Sequence, residues 1–390
     1  MLRILKIIIT IFFSMVLMSQ LLAVGMSFNS KAIENRKLKG WPVHSLSDVF
    51  HLDIGKKLAG YWRDREPLRP AYISLNNYLV YHLLSDSPSK KLTIGKNGWL
   101  FLRMTIDKWP CDKKANPKKV LPSFDKFIKV VKSMNKQALV VISPSKASIY
   151  PEFLPDKMLA KYRNCAVPRK HAYAKHMKNH PNYLELWSIF EKEKKRLLQQ
   201  PANNWMASRL QYLYRPRDRH WSWETGQLQA QKIVEKISPG ISFHPLPIFS
   251  LTNYMAEQSE LAKRFLAFHL PEPKVPFQLI NQSFKNLNVK IAFKNNKGLL
   301  LKECRSRNPN TDPRKVTVIH DSFMNHSTLF IANYFKESYF IHWNVLHKQT
   351  NRSLPFILKS DVIVLQTVEG RKQVRKRHLK RLLKELSKRK

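Results

Sequence analysis

Short apolar runs alternate with longer amphipathic stretches over most of the chain. Ala138–Ile142 (ALVVI) and Asp361–Gln366 (DVIVLQ) are typical of strands that are covered on both faces. Phe124–Met134 and Trp223–Ile237 have the helical spacing of apolar residues. Strands that alternate with helices indicate an α/β domain with a mostly parallel sheet.

The remaining pattern adds further elements of both kinds. Gly95–Leu102 is predicted to form a turn followed by an apolar strand. Strands are also predicted at Tyr183–Leu186, Leu287–Phe293, Leu299–Lys302, Val316–His320 and Tyr339–His342. Helices are also predicted at Tyr72–Leu84, Ile189–Leu198, Leu261–Leu270 and Phe323–Phe335.

The N-terminal segment is apolar from Ile7 to Met26 and follows two cations, Arg3 and Lys6. About twenty apolar residues are enough to cross a bilayer. Ala23-Val24-Gly25 matches a cleavage site poorly, which favours an uncleaved signal anchor over a removed signal peptide. We therefore expect a single-pass protein of the inner membrane with its bulk in the periplasm.

These patterns divide the chain into four parts. We expect a signal anchor over 1–28, a membrane-proximal extension over 29–90, a catalytic domain over 91–371 and a basic terminal helix over 372–390. Leu379, Leu382, Leu383 and Leu386 share one face of that helix. This stripe can pack on the domain or dock on a membrane surface.

Composition excludes some classes of protein. An apolar content of 43% with 23 prolines and 10 glycines is typical of a globular chain. The net charge of +42 favours contact with anionic polymers or headgroups, although the cations are spread along the chain and also fit solvated faces. A nucleic-acid binder is the poorest fit, because no binding module is recognisable.

The three cysteines have no metal-type spacing, so we expect no metal site. In an oxidising compartment Cys111 and Cys165 are the more plausible pair, each expected in a polar loop, and Cys304 is left over.

Two short stretches carry candidate chemistry. Asp321-Ser322-Phe323 follows the apolar run 316–320, so Ser322 is expected at a strand-to-helix turn where its hydroxyl is exposed. A hydroxyl nucleophile needs a base, and the base needs an orienting carboxylate. His220 and Asp218, in Asp218-Arg219-His220-Trp221, supply both types.

A structural alternative exists for each of these residues. Ser322 could cap the helix, since serine is a favoured cap residue. Asp218 could pair with Arg215 or Arg217, and His220 could be packed by Trp221.

Four stretches together resemble one family. They are Gly95–Leu102 (GKNGWLFL), Pro144–Pro155 (PSKASIYPEFLP), Asp218–Gly226 (DRHWSWETG) and Val318–Phe323 (VIHDSF). The chain resembles the SGNH-hydrolase-like proteins of polysaccharide O-acetylation, typified by the alginate O-acetyltransferases AlgJ and AlgX. DVIVLQTVEGR, with Glu369 and Arg371, resembles the family's closing element less closely.

The sequence also departs from the family pattern. Arg219 stands where the family often has a small polar residue, His320 precedes the Asp-Ser pair, and Gly370 separates Glu369 from Arg371. No carbohydrate-binding module follows the domain, so the closer likeness is to the anchored, single-domain members.

The resemblance implies an SGNH-hydrolase-like α/β/α sandwich behind a membrane anchor, and a double displacement. Ser322 would become an acetyl-serine, with His220 as base and Asp218 as its orienting acid. The amide of Phe323 is the first candidate for the oxyanion. Lys146 and Tyr150 could line the pocket, or be an ordinary loop lysine and a core tyrosine.

The resemblance also implies the partners. The sequence contains no glycine-rich phosphate loop of the kind that would bind acetyl-CoA, so we expect no cofactor. By the resemblance, the acetyl donor would be a membrane-bound acyltransferase. The acceptor would be a polysaccharide. Two alternatives stay open: an acetyl-esterase with the same three residues, and a non-catalytic binder of an anionic envelope polymer.

Overall fold

The structure is a computed structural model. It describes residues 6–11, 13–15, 18, 38–66, 69–106, 111, 116–242, 254–274, 284–294, 300–369 and 377–388. Within these ranges no helix is long and apolar enough to cross a membrane. Most of the predicted anchor lies outside them, because only 7–11, 13–15 and 18 of its apolar run are described.

Eleven strands occur in the described part of the chain. In chain order they are β1 Leu92–Ile94, β2 Leu100–Leu102, β3 Gln137–Ser143, β4 Tyr183–Glu185, β5 Met255–Gln258, β6 Pro271–Lys274, β7 Leu287–Lys294, β8 Leu300–Ser306, β9 Asp312–His320, β10 Phe335–His342 and β11 Val362–Val368.

The helices carry their own labels in the same order. They are α1 Leu46–Val49, α2 Ile54–Arg63, α3 Arg69–Leu83, α4 Pro117–Lys132, α5 Lys146–Ile149, α6 Asp156–Met177, α7 Trp187–Leu198, α8 Trp205–Leu210, α9 Trp223–Ile237, α10 Glu260–Phe265, α11 Thr328–Ala332, α12 Trp343–Lys348, α13 Thr350–Leu358 and α14 Arg377–Ser387.

A seven-stranded sheet forms the core, in the order β4-β3-β11-β9-β10-β8-β7. The first five of these strands are parallel to one another. At one end of the sheet β8 runs antiparallel to β10, and β7 runs antiparallel to β8. Val364 in β11 lies between Leu139 of β3 and Val318 of β9. All seven residues of β11 are buried, which fits its apolar run. The expected mostly parallel α/β sheet is confirmed.

The basic terminal helix packs on the domain. Its four leucines (379, 382, 383 and 386) are buried, and α14 contacts α4 and α12. The leucine side chains of this helix were expected either to pack on the domain or to dock on a membrane surface, and in the structure they pack on the domain.

The described residues form two compact units. Residues 1–93 and 258–270 make up the smaller one, and residues 94–257 and 271–390 the larger one. Segment 258–270 therefore interrupts the larger unit, which a division of the chain into consecutive segments does not anticipate.

Cys111 and Cys165, the pair favoured from the sequence, form a disulfide bond with their Cα atoms 5.0 Å apart. Cys165 lies within helix α6 and not in the polar loop expected for it. Cys304 is buried in β8 as a free thiol.

Candidate active site

Ser322 lies immediately past the carboxyl end of β9, as the first residue of a 3-10 helix that runs Ser322–His326. Open α/β sheets place their sites at this end of the strands. Asp321 is the cap residue of this turn, and its carboxylate accepts the Phe323 N–H at 2.9 Å and the Val368 N–H at 2.8 Å. The capping role is therefore taken by Asp321 and not by Ser322.

This cap corrects the expected role of Phe323. An oxyanion-hole donor must point at the position that the oxyanion will occupy. The Phe323 N–H points at the Asp321 carboxylate instead, at 2.9 Å. The structure thus assigns this amide to the turn and gives no support to it as the oxyanion donor.

The helix predicted over Phe323–Phe335 is also corrected. The chain forms the 3-10 turn Ser322–His326 and the short helix α11, and Phe335 already begins β10. The apolar residues that suggested one long helix are shared between α11 and a buried strand.

The Asp218–His220 stretch is the tip of a loop that is closed at its base by the antiparallel bridge Tyr214–Trp221. The Ser222 N–H donates to the Leu213 carbonyl at 3.0 Å in the same closure. His220 Nε2 lies 3.0 Å from Ser322 Oγ, although 102 residues separate the two. The Phe323 ring meets the imidazole edge-on, with ring centroids 4.9 Å apart. A neutral imidazole with Nε2 unprotonated accepts the serine proton in this arrangement.

The two arginines beside Asp218 each have a glutamate partner. The Arg215 guanidinium donates to both carboxylate oxygens of Glu224, at 3.1 and 3.2 Å. The backbone N–H of Arg217 donates to the Glu272 carboxylate at 3.0 Å, and the guanidinium Nε of Arg217 lies 3.9 Å from the same carboxylate.

Lys146 is a buried support of this loop, with 6% of its surface exposed. Its Nζ lies within hydrogen-bond distance of four backbone carbonyls: Leu100 at 2.9 Å, Arg215 at 3.0 Å, Pro216 at 2.5 Å and Asp218 at 3.0 Å. The rings of Trp99 and Phe101 face the same ammonium, at 4.8 and 5.1 Å. The reading of Lys146 as an ordinary loop lysine is wrong, because a charge this well buried is held by specific partners.

Tyr150 is a core tyrosine, one of the two roles considered for it. It is fully buried, and its hydroxyl accepts the Leu213 N–H at 2.9 Å. Burial raises the pKa of this phenol well above its usual value. Tyr150 thus supports the segment that leads into the Asp218–His220 loop.

Glu272 is a support that the sequence did not reveal. It is fully buried in β6, and it pairs with Arg209 at 2.7 Å while it accepts the Arg217 N–H. Burial raises the pKa of its carboxyl. A glutamate between two prolines carries no signal that would single it out.

Glu369 lies just past β11 and is buried. Its carboxylate accepts the Ser145 N–H at 2.8 Å, and burial raises its pKa. Arg371, the other residue of the predicted closing element, lies outside the described residues.

A buried network of glutamine side chains holds the Ser322–His326 turn against the sheet. Gln366 accepts the Asp321 N–H at 3.1 Å and donates to Ser143 Oγ at 3.0 Å. Gln229 donates to the same Ser143 oxygen at 2.8 Å and accepts from Ser327 at 2.6 Å. This network joins β3, β11, α9 and the serine turn. Buried glutamines have no signature in a single sequence.

His326 links the turn to the loop. Its Nδ1 donates to the Trp221 carbonyl at 2.8 Å, and its ring centroid lies 6.3 Å from that of His220. Among the residues described, no group of histidine, cysteine or acidic side chains could hold a metal ion.

Residues 92–306 match the profile of a family described as the SGNH hydrolase-like domain of the acetyltransferase AlgX. The match covers more than half of the 390 residues and includes Asp218 and His220 but not Ser322. No curated protein sequence matches the chain.

The chain is similar to several solved structures at low sequence identity. Bacillus cereus PatB1 with a sulfonyl adduct is 14% identical, with a TM-score of 0.50, over 73% of this chain and 96% of that one. A DHHW family protein from Eubacterium siraeum is 13% identical, with a TM-score of 0.45, over 77% and 97%. The O-acetyltransferase domain of Pseudomonas putida AlgJ is 14% identical, with a TM-score of 0.44, over 77% and 99%.

Proposed function

Because the chain belongs to the SGNH hydrolase-like acetyltransferase family of AlgX, we propose that it transfers an acetyl group through Ser322 to a polysaccharide hydroxyl. The observation that carries this proposal is the 3.0 Å contact between His220 Nε2 and Ser322 Oγ. A nucleophile and its base need this spacing for proton transfer.

The first half-reaction acylates the serine. His220 takes the proton from Ser322 Oγ while the oxygen attacks the acetyl carbonyl of the donor. The tetrahedral intermediate then collapses, the bond from the acetyl carbon to the leaving group breaks, and the leaving group takes the proton from His220. The product is an acetyl-serine ester.

The second half-reaction is the same sequence with a sugar hydroxyl as nucleophile. His220 removes the hydroxyl proton, the sugar oxygen attacks the ester, and Ser322 leaves with the proton that His220 returns. Asp218, two residues before the base, is proposed to orient the imidazole through its other nitrogen. Replacement of Asp218 by alanine should therefore impair the reaction less than loss of Ser322 or His220.

The placement of the protein is part of the proposal. Residues 7–26 would anchor the chain in the inner membrane, with the domain in the periplasm. A membrane-bound acyltransferase would supply the acetyl group, and an envelope polysaccharide would accept it.

The test is intact-mass and peptide mass spectrometry of the purified full chain after incubation with p-nitrophenyl acetate. We expect one acetyl adduct on the peptide that contains Ser322, and none there in Ser322→Ala or His220→Ala. Activated esters also acetylate lysines, so the adduct must be assigned by peptide and compared with Ser322→Ala. A folded wild-type protein that never acylates Ser322 would contradict the proposal.

The same experiment separates the alternatives. An acetyl-serine that persists in buffer and is discharged by added oligosaccharide supports transfer. Rapid discharge by water alone supports the esterase instead. For a non-catalytic binder of anionic polymer, Ser322→Ala should leave polymer binding and every other function intact.

A further inference from the structure

Helix α3 (Arg69–Leu83) uses one face to pack within the smaller unit. The hydroxyl of Ser74 donates to the Ala267 carbonyl, and the side-chain amide of Asn77 donates to the Leu266 carbonyl, both at 2.9 Å. The Tyr78 and Tyr81 rings contact Phe268 edge-on, with centroids 5.6 and 5.4 Å apart. This face is therefore occupied.

The opposite face of α3 carries four exposed apolar side chains, with the exposed polar Asn76 beside them. Tyr72, Leu75, Leu79 and Leu83 follow one another at intervals of three and four residues, which places them in one row. We call this row the leucine stripe. Its side chains are 45%, 58%, 42% and 74% exposed. From the helical rise, the stripe is about 16 Å long.

The stripe belongs to a wider concentration of exposed apolar side chains. More of the large exposed apolar residues lie in 38–93 than in all described residues after 93. Leu46 and Phe50 are 85% and 86% exposed, and Trp41 and Trp62 are each 46% exposed. A concentration of exposed apolar side chains in one part of a chain indicates a binding face for a partner or a membrane.

The composition of the face and its place in the chain indicate which occupant it has. The apolar run predicted to cross the bilayer ends at Met26, about a dozen residues before Leu38. A linker of that length spans about 40 Å at most. Tryptophan and tyrosine are enriched where proteins meet the membrane–water interface, and three cations, the half-buried Arg69 and the exposed Lys90 and Lys91, flank the stripe in sequence.

We propose that the leucine stripe inserts into the interfacial region of the lipid bilayer, with these cations at anionic headgroups. The smaller unit would then lie on the membrane surface through the exposed apolar side chains of α3. This inference rests on the membrane anchoring put forward under the proposed function. It does not depend on the chemistry of Ser322.

The test uses the full chain reconstituted into vesicles of phosphatidylethanolamine and phosphatidylglycerol. An environment-sensitive maleimide dye is attached to Leu75→Cys, and quenching by lipids brominated in the acyl chain is measured. Ile291→Cys in the larger unit is the matched control, because Ile291 is 56% exposed against 58% for Leu75. The native cysteines should not react, since two form a disulfide and Cys304 is buried.

We expect the label at Leu75 to shift to the blue and to be quenched several-fold more than the label at Ile291. Equal and weak quenching at both positions would overturn the proposal. So would quenching at Leu75 that appears only when a second membrane protein is added, which would assign the stripe to a protein partner. Carbonate extraction measures separately whether residues 7–26 are inserted in the membrane. Loss of the membrane anchor and absence of the leucine stripe from the bilayer therefore give different results.

Discussion

A lysine ammonium has three protons, and the Lys146 ammonium has four backbone carbonyls within reach, three of which belong to Arg215, Pro216 and Asp218. These carbonyls immediately precede His220 in the loop that meets Ser322. In the proposed mechanism, Lys146 therefore acts on the chemistry through the backbone that carries His220. We regard it as a positioning residue.

We predict that Lys146→Met lowers kcat for acetyl transfer by about 100-fold, because a displacement of ~1 Å at a reacting group can cost that much. The KM for a small acetyl ester should change little, since Lys146 does not contact the donor in this mechanism. Steady-state kinetics, run well below the unfolding transition of each variant, give both values.

Lys194→Met is the matched control for this variant. Lys194 also donates to a backbone carbonyl, that of Ile149 at 2.7 Å, and lies 4.5 Å from the Tyr150 ring. Its ion pair is with Glu152, at 2.6 Å, and not with the Asp218–His220 loop, so its loss should leave kcat near the wild-type value. Equal losses of kcat in both variants would show that removal of a lysine from the protein interior, and not the loss of support for the loop, is responsible.

The residue types of the site could be predicted from the sequence, but their partners could not. Ser322 and His220 were found by chemistry and by resemblance, and the structure places them in contact. The Phe323 amide was misassigned because the choice of cap, Asp321, depends on the direction of the backbone after β9. Glu272 and Gln366 were missed because burial of a polar side chain is a property of the fold.

At the scale of elements, helix α9 approaches the serine turn closely enough to require glycine. A Cβ on Gly226 would lie 2.4 Å from the carbonyl oxygen of His326 and 2.7 Å from its carbon. Gly226 is the last residue of the stretch DRHWSWETG. One motif therefore contains both the Asp218–His220 loop and the glycine that packs against the Ser322–His326 turn.

We predict that Gly226→Ala lowers acetyl transfer about 100-fold by displacing the Ser322–His326 turn. Alanine improves helix propensity by about 1 kcal/mol, while overpacking costs about 1–3 kcal/mol. The net change in the free energy of unfolding should therefore be small beside the loss of activity. Urea denaturation and single-turnover acylation measure the two effects.

Gly240→Ala is the control, since a Cβ there meets nothing within 4 Å. It should leave acylation unchanged. Wild-type rates in Gly226→Ala would mean that the turn can move without consequence for Ser322.

The apolar strands were the elements best predicted from the sequence. The predicted strand 138–142 lies within β3, and the predicted strand 361–366 begins one residue before β11 and continues inside it. Such strands can be predicted because a strand that is covered on both faces has a continuous apolar run. The predicted helix after Ser322 is too long because Ile331 and Phe335, four residues apart, fit a helical period while lying in different elements. Periodicity alone cannot divide a short helix from the strand that follows it.

At the scale of the whole molecule, the disulfide joins Cys111 to helix α6. Cys111 and Cys165 are 54 residues apart, and the loop that they close includes α4, β3 and α5. In the chain-entropy account, closing a loop of this size stabilises the folded state by about 4 kcal/mol.

We therefore predict that Cys111→Ser with Cys165→Ser lowers the free energy of unfolding by about 4 kcal/mol. Reductant should lower the stability of the wild type to that of the double variant, and it should not affect the double variant itself. Urea denaturation with and without dithiothreitol checks both statements. Full reduction of the wild type without loss of stability would contradict the prediction.

The same bond connects the fold to the proposed location. Disulfides persist in oxidising compartments and are rare in the cytoplasm. When the full chain is made in a bacterium with its N-terminal apolar run, maleimide–polyethylene glycol added to denatured, acid-quenched cells should modify one thiol per chain, that of Cys304. A version that lacks residues 1–28 should stay in the cytoplasm and be modified at all three cysteines. Three modifications of the full chain would place the domain in a reducing compartment and contradict its export.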